Sequence, residues 1–166
     1  IYNGTTGKLI AWVNLPNLNS NEGTRIWMYY GNPLVDNQEN VPSVWDSNFV
    51  AVLHLDESPD DNTAGHFDST AYNNHGTPKN FQDGGGGSTD VTGKIGGADY
   101  FAGDDDWVEI PHNTSLEING DQLSLSAWVK MTNLQDNDEG IIIKSDGSNY
   151  NLHLGIQGNE RGNFRV

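Results

Sequence analysis

Cysteine is absent from the 166 residues, which removes disulfide frameworks, thiol nucleophiles and thiolate metal sites. That absence leaves the redox compartment open. Basic side chains are scarce: 8 Lys and Arg stand against 23 Asp and Glu, for a formal net charge of −15. Such a surface repels polyanions, so nucleic acid and anionic membranes are excluded as expected partners. No apolar run approaches the roughly 18 residues of a membrane-spanning helix, and mean hydropathy is −0.62. Direct membrane insertion of this stretch is therefore not expected. Helical periodicity is missing too, since no segment keeps an apolar repeat of about 3.6 residues over successive turns. The chain opens Ile1-Tyr2-Asn3 rather than with Met, as expected of a processed or excised piece.

What is present is turn chemistry and aromatic bulk. There are 20 Gly, and 5 Trp, 6 Tyr and 5 Phe make the chain too aromatic for a disordered acidic tail. Gly supplies positive φ, and Asn and Asp bond their own backbone, so these residues punctuate the chain with turns. Between them lie strand-like runs. Over Gln122–Met131, the residues Leu123, Leu125, Ala127, Val129 and Met131 share one face. Ser124, Ser126, Trp128 and Lys130 share the other, a period of two. Tyr150–Ile156 alternates likewise, and Leu9–Leu15, Arg25–Tyr30, Phe49–Leu55, Asp99–Phe101, Trp107–Ile110, Ile141–Lys144 and Asn163–Val166 are further candidates. Phe49 to Leu53 is apolar on both faces, as in a central strand. Asp146-Gly147 predicts a hairpin turn, and Asn113 to Ile118 a turn or single helical turn. The pattern predicts an all-β antiparallel sandwich or jelly roll.

Asn32-Pro33 through Pro42 is polar with two prolines, which suits a linker. Gly84-Gly85-Gly86-Gly87-Ser88 is a surface loop, with neither the Gly-Lys-Ser/Thr nor the strand–helix context of a phosphate-binding loop.

Several pieces in order resemble the LamG-like, concanavalin A-like jelly-roll family. They are Val52-Leu53-His54-Leu55-Asp56-Glu57, Phe67-Asp68-Ser69-Thr70 with Asn73-Asn74-His75-Gly76-Thr77, and Gly93-Lys94-Ile95-Gly96-Gly97-Ala98. Asp106-Trp107-Val108-Glu109-Ile110-Pro111 and Leu125-Ser126-Ala127-Trp128-Val129-Lys130 complete the set. Ala11-Trp12-Val13 and Met28-Tyr29-Tyr30-Gly31-Asn32-Pro33 resemble the tail of a small β domain of unknown function that often precedes such modules in prokaryotic surface proteins. The resemblance implies three parts: residues 1–33 from a preceding β domain, a linker over 34–45, and a LamG-like jelly roll over 46–166. It also implies that the sandwich is truncated, because relatives continue with several more strands. Unpaired edges of that kind are places for a neighbour's strand.

Asp68-Ser69-Thr70-Ala71-Tyr72-Asn73-Asn74-His75-Gly76 concentrates oxygen donors in one turn-prone segment. Hard cations such as calcium take roughly six to eight oxygens, while the alternative is an Asx-rich turn satisfied by its own backbone. In LamG-like relatives this segment commonly helps hold calcium. The resemblance thus implies a structural Ca2+ with Asp68 as side-chain ligand and Asn73 or Asn74 beside it. Asp104-Asp105-Asp106 is a second carboxylate run, in which Asp104 and Asp105 are candidate contributors and a solvated turn is the alternative. No EF-hand spacing occurs.

Catalytic constellations are missing. A glycosidase needs two carboxylates about 5–10 Å apart across the scissile bond, but Asp56-Glu57 and Asp106/Glu109 have spacings that point each pair to opposite faces of a strand. His54, His66, His75, His112 and His153 show no metal spacing, and no Gly-x-Ser-x-Gly elbow exists. Tyr72, Trp107 and Trp128 are candidate sugar-stacking side chains, against the alternative that the tryptophans are core. Asn3-Gly4-Thr5 and Asn113-Thr114-Ser115 match the N-glycosylation pattern. By analogy with the family, the expected role is a non-catalytic module of a secreted or cell-surface protein, in adhesion or carbohydrate recognition. Its partners would be glycans or neighbouring surface-protein subunits. The alternatives are a structural subunit of a filament, sheath or surface layer, and an accessory domain of a carbohydrate-active enzyme.

Overall fold

Short β-rich runs separated by Gly, Asn and Asp leave each strand only a few residues long. The computed structural model describes residues 2–58, 65–81, 87–102, 105–131, 139–145, 150–157 and 161–165. Among them every strand pair is antiparallel, and there is no α-helix. The chain divides into two compact units, Ile1–Glu117 and Ile118–Val166.

In the first unit, β1 (Tyr2–Asn3) pairs with β2 (Lys8–Leu9). The connection closes on Asn3, whose Oδ1 accepts from the backbone N–H of Thr5 and Thr6. Gly7 takes φ +69° there, a left-handed turn position that suits glycine. β3 (Thr77–Lys79) pairs with β6 (Trp107–Glu109), with Pro78 opposite Val108. Proline fits because each strand of a two-stranded ladder has an open edge. β4 (Ser88–Thr92) pairs with β5 (Gly97–Tyr100), and the register slips between Ser88 and Val91. Val41–Ser43 and Thr114–Leu116 are single 3-10 turns. The second is capped by Asn113, whose Oδ1 accepts from Ser115 N–H, so the helical-turn expectation for this stretch holds.

The second unit is a three-stranded sheet in the order β7 (Glu139–Ser145), β8 (Tyr150–Gln157), β9 (Arg161–Arg165). Leu152 and His153 are buried in it. The expected strands at Ile141–Lys144 and Tyr150–Ile156 lie within β7 and β8, and β9 overlaps the one expected over Asn163–Val166. The Asp146-Gly147 turn and the Gly84–Gly86 loop fall outside the described residues.

Other strand expectations are corrected. Gln122–Met131, the most regular alternation, belongs to no strand among the described residues, and neither does Arg25–Tyr30. Leu9–Leu15 contributes only Leu9, and Phe49–Leu55 only an isolated bridge between Leu53 and Asp68. Alternation sets which side chains share a face; a strand also needs a neighbour for its N–H and C=O groups. Conversely, β3 and β4 were invisible to periodicity, since Thr-Pro-Lys and Ser-Thr-Asp-Val-Thr carry little apolar content. The small sheets give an all-β architecture.

The interior of the first unit is unusually polar. Among the described residues Phe81 and Pro78 are buried apolar side chains, Phe81 packed edge-on to Phe101 at 5.1 Å, while His66, Asp68, Ser69, Thr70, Asn74 and Thr77 are all buried. Gly76 lies at the centre of this packing. A methyl there would come within 2.6 Å of Val108 Cγ1 and 3.0 Å of Leu53 Cδ2.

Candidate functional site

Two polar clusters organise the first unit. The first is the turn that begins at Asp68. Its carboxylate is buried and accepts four hydrogen bonds: Oδ1 from Val52 N–H (2.8 Å) and Thr70 N–H (2.9 Å), and Oδ2 from the Thr70 hydroxyl (2.6 Å) and Asn74 N–H (2.9 Å). Burial alone would raise its pKa. The Thr70 hydroxyl and the three backbone N–H groups outweigh that, and hold it below the ordinary carboxylate value of 3.8. An ionised carboxylate offers about four lone-pair sites, so the set is full.

The rest of the turn is tied down similarly. Asn74 is buried and donates through Nδ2 to Val50 C=O at 2.6 Å and to Ser115 Oγ at 2.8 Å. Asn73 is exposed at φ +55°, with Nδ2 donating to Ala71 C=O. Tyr72 donates its hydroxyl to Ser47 C=O at 3.0 Å. Asp68 N–H donates to His75 Nδ1 at 3.0 Å, and the His75 ring meets Phe67 edge-on.

The second cluster joins three separate segments. His66 has no exposed side-chain surface; its Nδ1 lies 3.3 Å from Glu57 Oε2 and its Nε2 3.0 Å from Asp99 Oδ2, itself fully buried. The Asp99 contact is an ion pair rather than an aligned hydrogen bond. Glu57 also accepts from Phe67 N–H at 3.0 Å. Burial pushes the imidazole pKa down, but Asp99 and Glu57 outweigh it and raise the value to about 9. Glu57 is raised by its own burial, yet His66 and the Phe67 N–H bring it below 4.5. At neutral pH the cluster is an imidazolium held between two carboxylates.

Of the residues expected to form a site, Asp68, Tyr72, Asn73 and Asn74 do share one turn. Asp104 lies outside the described residues. Asp105 instead bonds Asn80, whose Nδ2 donates to the Asp105 carboxylate at 3.0 Å and to its C=O at 3.1 Å. Trp107 on β6 is half-exposed at 47%, and Trp128 in the second unit is 75% exposed, so neither ring is core. Among the described residues no three His, Asp or Glu side chains converge to hold a metal ion. With its lone pairs occupied, Asp68 as it stands does not fit the role of calcium ligand.

Sequence reasoning set Glu57 and His66 aside separately and took Asp99 only as a strand residue, because nothing in their spacing links the three.

Residues 1–77 match a domain of unknown function, DUF2341. The match takes in the Asp68 turn, Glu57 and His66, and overlaps both the 34–45 stretch and the start of the 46–166 stretch. No curated protein and no solved structure matches the chain.

Proposed function

We propose that the chain is a non-catalytic module of a secreted or cell-surface protein, serving adhesion or carbohydrate recognition. The observation that carries this reading is a division of labour. Asp68 and His66, the groups best suited to metal or acid–base chemistry, are consumed inside the fold, while Tyr72, Trp107 and Trp128 keep aromatic surface in solvent. Exposed rings of this kind stack on the apolar faces of sugars. In this reading residues 46–166 belong to a LamG-like jelly roll behind a 34–45 linker and the 1–33 segment of the front domain. The Asp68 hydrogen bonds hold the rim turn that an ion holds in LamG-like relatives. Among the described residues no helix is long and apolar enough to cross a membrane.

Affinity electrophoresis through gels cast with a panel of polysaccharides tests the proposal. Retardation by a polysaccharide, lost in Trp107→Ala or Trp128→Ala, is the expected result. Release of new reducing ends would overturn the non-catalytic assignment, and free migration in every gel would overturn the glycan assignment.

A second reading, a structural subunit completed by a neighbouring chain, is favoured by Ile26–Tyr30. These five consecutive residues are all exposed and belong to no strand. Exposed apolar segments outside any strand are candidates for strand addition to a partner. Concentration-dependent assembly in sedimentation velocity, abolished by proline at Met28, supports it; a monomer at all concentrations refutes it.

A further inference from the structure

A small notch of about 70 Å³ opens in the first unit, lined by Ile10, Trp12, His54, Asp56 and Ile95. Its walls are well defined. The Trp12 indole stacks on the His54 ring (5.3 Å, 23°) and abuts Trp45 at 5.5 Å, yet remains 45% exposed. Asp56 is half-buried, and among the described residues no hydrogen bond or ion pair engages its carboxylate. Leu55, between His54 and Asp56, sits at φ +54°. A bulky residue in the left-handed region is strained, and strain of this kind marks positions whose geometry serves a purpose.

Volume and chemistry narrow the ligand. Pockets for whole small molecules begin near about 300 Å³, so this notch takes one end group rather than a sugar ring. Aliphatic walls, an aromatic ring and an unengaged carboxylate complement a cation on a methylene stem, through cation–π attraction and a charge-assisted hydrogen bond. The net charge of −15 draws cations to the surface. We propose that this notch binds a single alkylammonium group. Ile10 and Ile95 line the methylenes, while the Trp12 ring and the Asp56 carboxylate receive the charge. The source is a lysine side chain of a partner protein or a free amine. This site stands apart from the glycan reading, and failure of one leaves the other intact.

The test is an NMR titration of the whole chain, following the Trp12 indole N–H with n-butylammonium, putrescine and Nα-acetyl-lysine methylamide, and with n-butanol as the uncharged control. The expected result is a saturable shift with the ammonium probes at about millimolar concentration, weakened by salt and absent with butanol. Asp56→Asn should weaken binding at least about tenfold while leaving the rest of the spectrum unchanged, and Trp12→Leu should abolish it. Tighter binding of the lysine derivative than of butylammonium identifies a protein side chain as the source, and tighter putrescine binding a free amine. No saturation by any ammonium probe, an equal response to butanol, or unchanged affinity in Asp56→Asn would each overturn the proposal.

Discussion

Raising the pH should loosen the first unit through one residue. His66 has a folded-state pKa of about 9 against an ordinary 6.5. A group whose pKa rises on folding contributes its full stability below the unfolded value, and loses it as pH climbs through the folded one. The stabilisation is therefore complete below about pH 6.5 and gone above about pH 9. At 1.36 kcal/mol per pKa unit the difference is roughly 3 kcal/mol, credible because the His66 side chain has no exposure and both partners lie within 3.3 Å. For a domain of this size that corresponds to a Tm fall of roughly 10 °C. Equilibrium denaturation by tryptophan fluorescence from pH 6 to 10 measures it directly, and the His66 Cε1 proton should titrate near 9 by NMR. His66→Gln removes the titrating cation and leaves the buried Asp99 carboxylate, and the partly exposed Glu57, without a cation between them, so it should be destabilised by several kcal/mol at pH 6 and show a flat profile up to pH 9. A flat wild-type profile would refute the reasoning. So would a His66→Gln profile with the wild-type slope, because some other group would then carry the pH dependence.

The acid side runs the opposite way. Glu57 and Asp68 have depressed pKa values, so their stabilisation is present above about 4.5 and 3.8 and is lost as pH falls below them, leaving a maximum near pH 5 to 6.5. Asp68→Ala strands four donors, three of them backbone N–H groups, and should cost about 3–5 kcal/mol. The loss should be the same in calcium and in chelator, and a calcium-dependent difference would restore the ion to this turn. Gly76→Ala should cost about 1–3 kcal/mol by overpacking, because Val108 is β-branched and cannot swing aside; unchanged denaturation midpoints would show that the packing yields. Asn73→Gly should be nearly neutral and Asn73→Val destabilising by about 1–2 kcal/mol, since φ is +55°; equal stabilities of the two would disprove the left-handed turn.

Much of the Asp68 turn was legible because it is local. Asp, Thr and Asn at positions 68, 70 and 74 bond across two to six residues, and such short-range Asx geometry follows from side-chain chemistry. Whether that oxygen-rich turn serves an ion or its own backbone was not legible. The answer depends on Val52, whose N–H arrives from sixteen residues away to fill the last lone pair of Oδ1. Trp107 and Trp128 illustrate the same boundary: alternation put each on one face of its segment, but only packing decides whether that face is covered.

The sequence by itself determined the all-β class, the antiparallel strands of the second unit and the positions of several turns, because these rest on periodicity and on backbone preferences of single residues. It also determined the acidic surface and the absence of thiol chemistry. Only the tertiary structure decided which runs found a ladder partner, and it left Gln122–Met131 outside every strand despite the best alternation in the chain. It alone brought Glu57, His66 and Asp99 together from three segments, and Ile10, Trp12, Asp56 and Ile95 into one notch. Contacts between distant residues depend on how the intervening loops close, and no local preference encodes that closure.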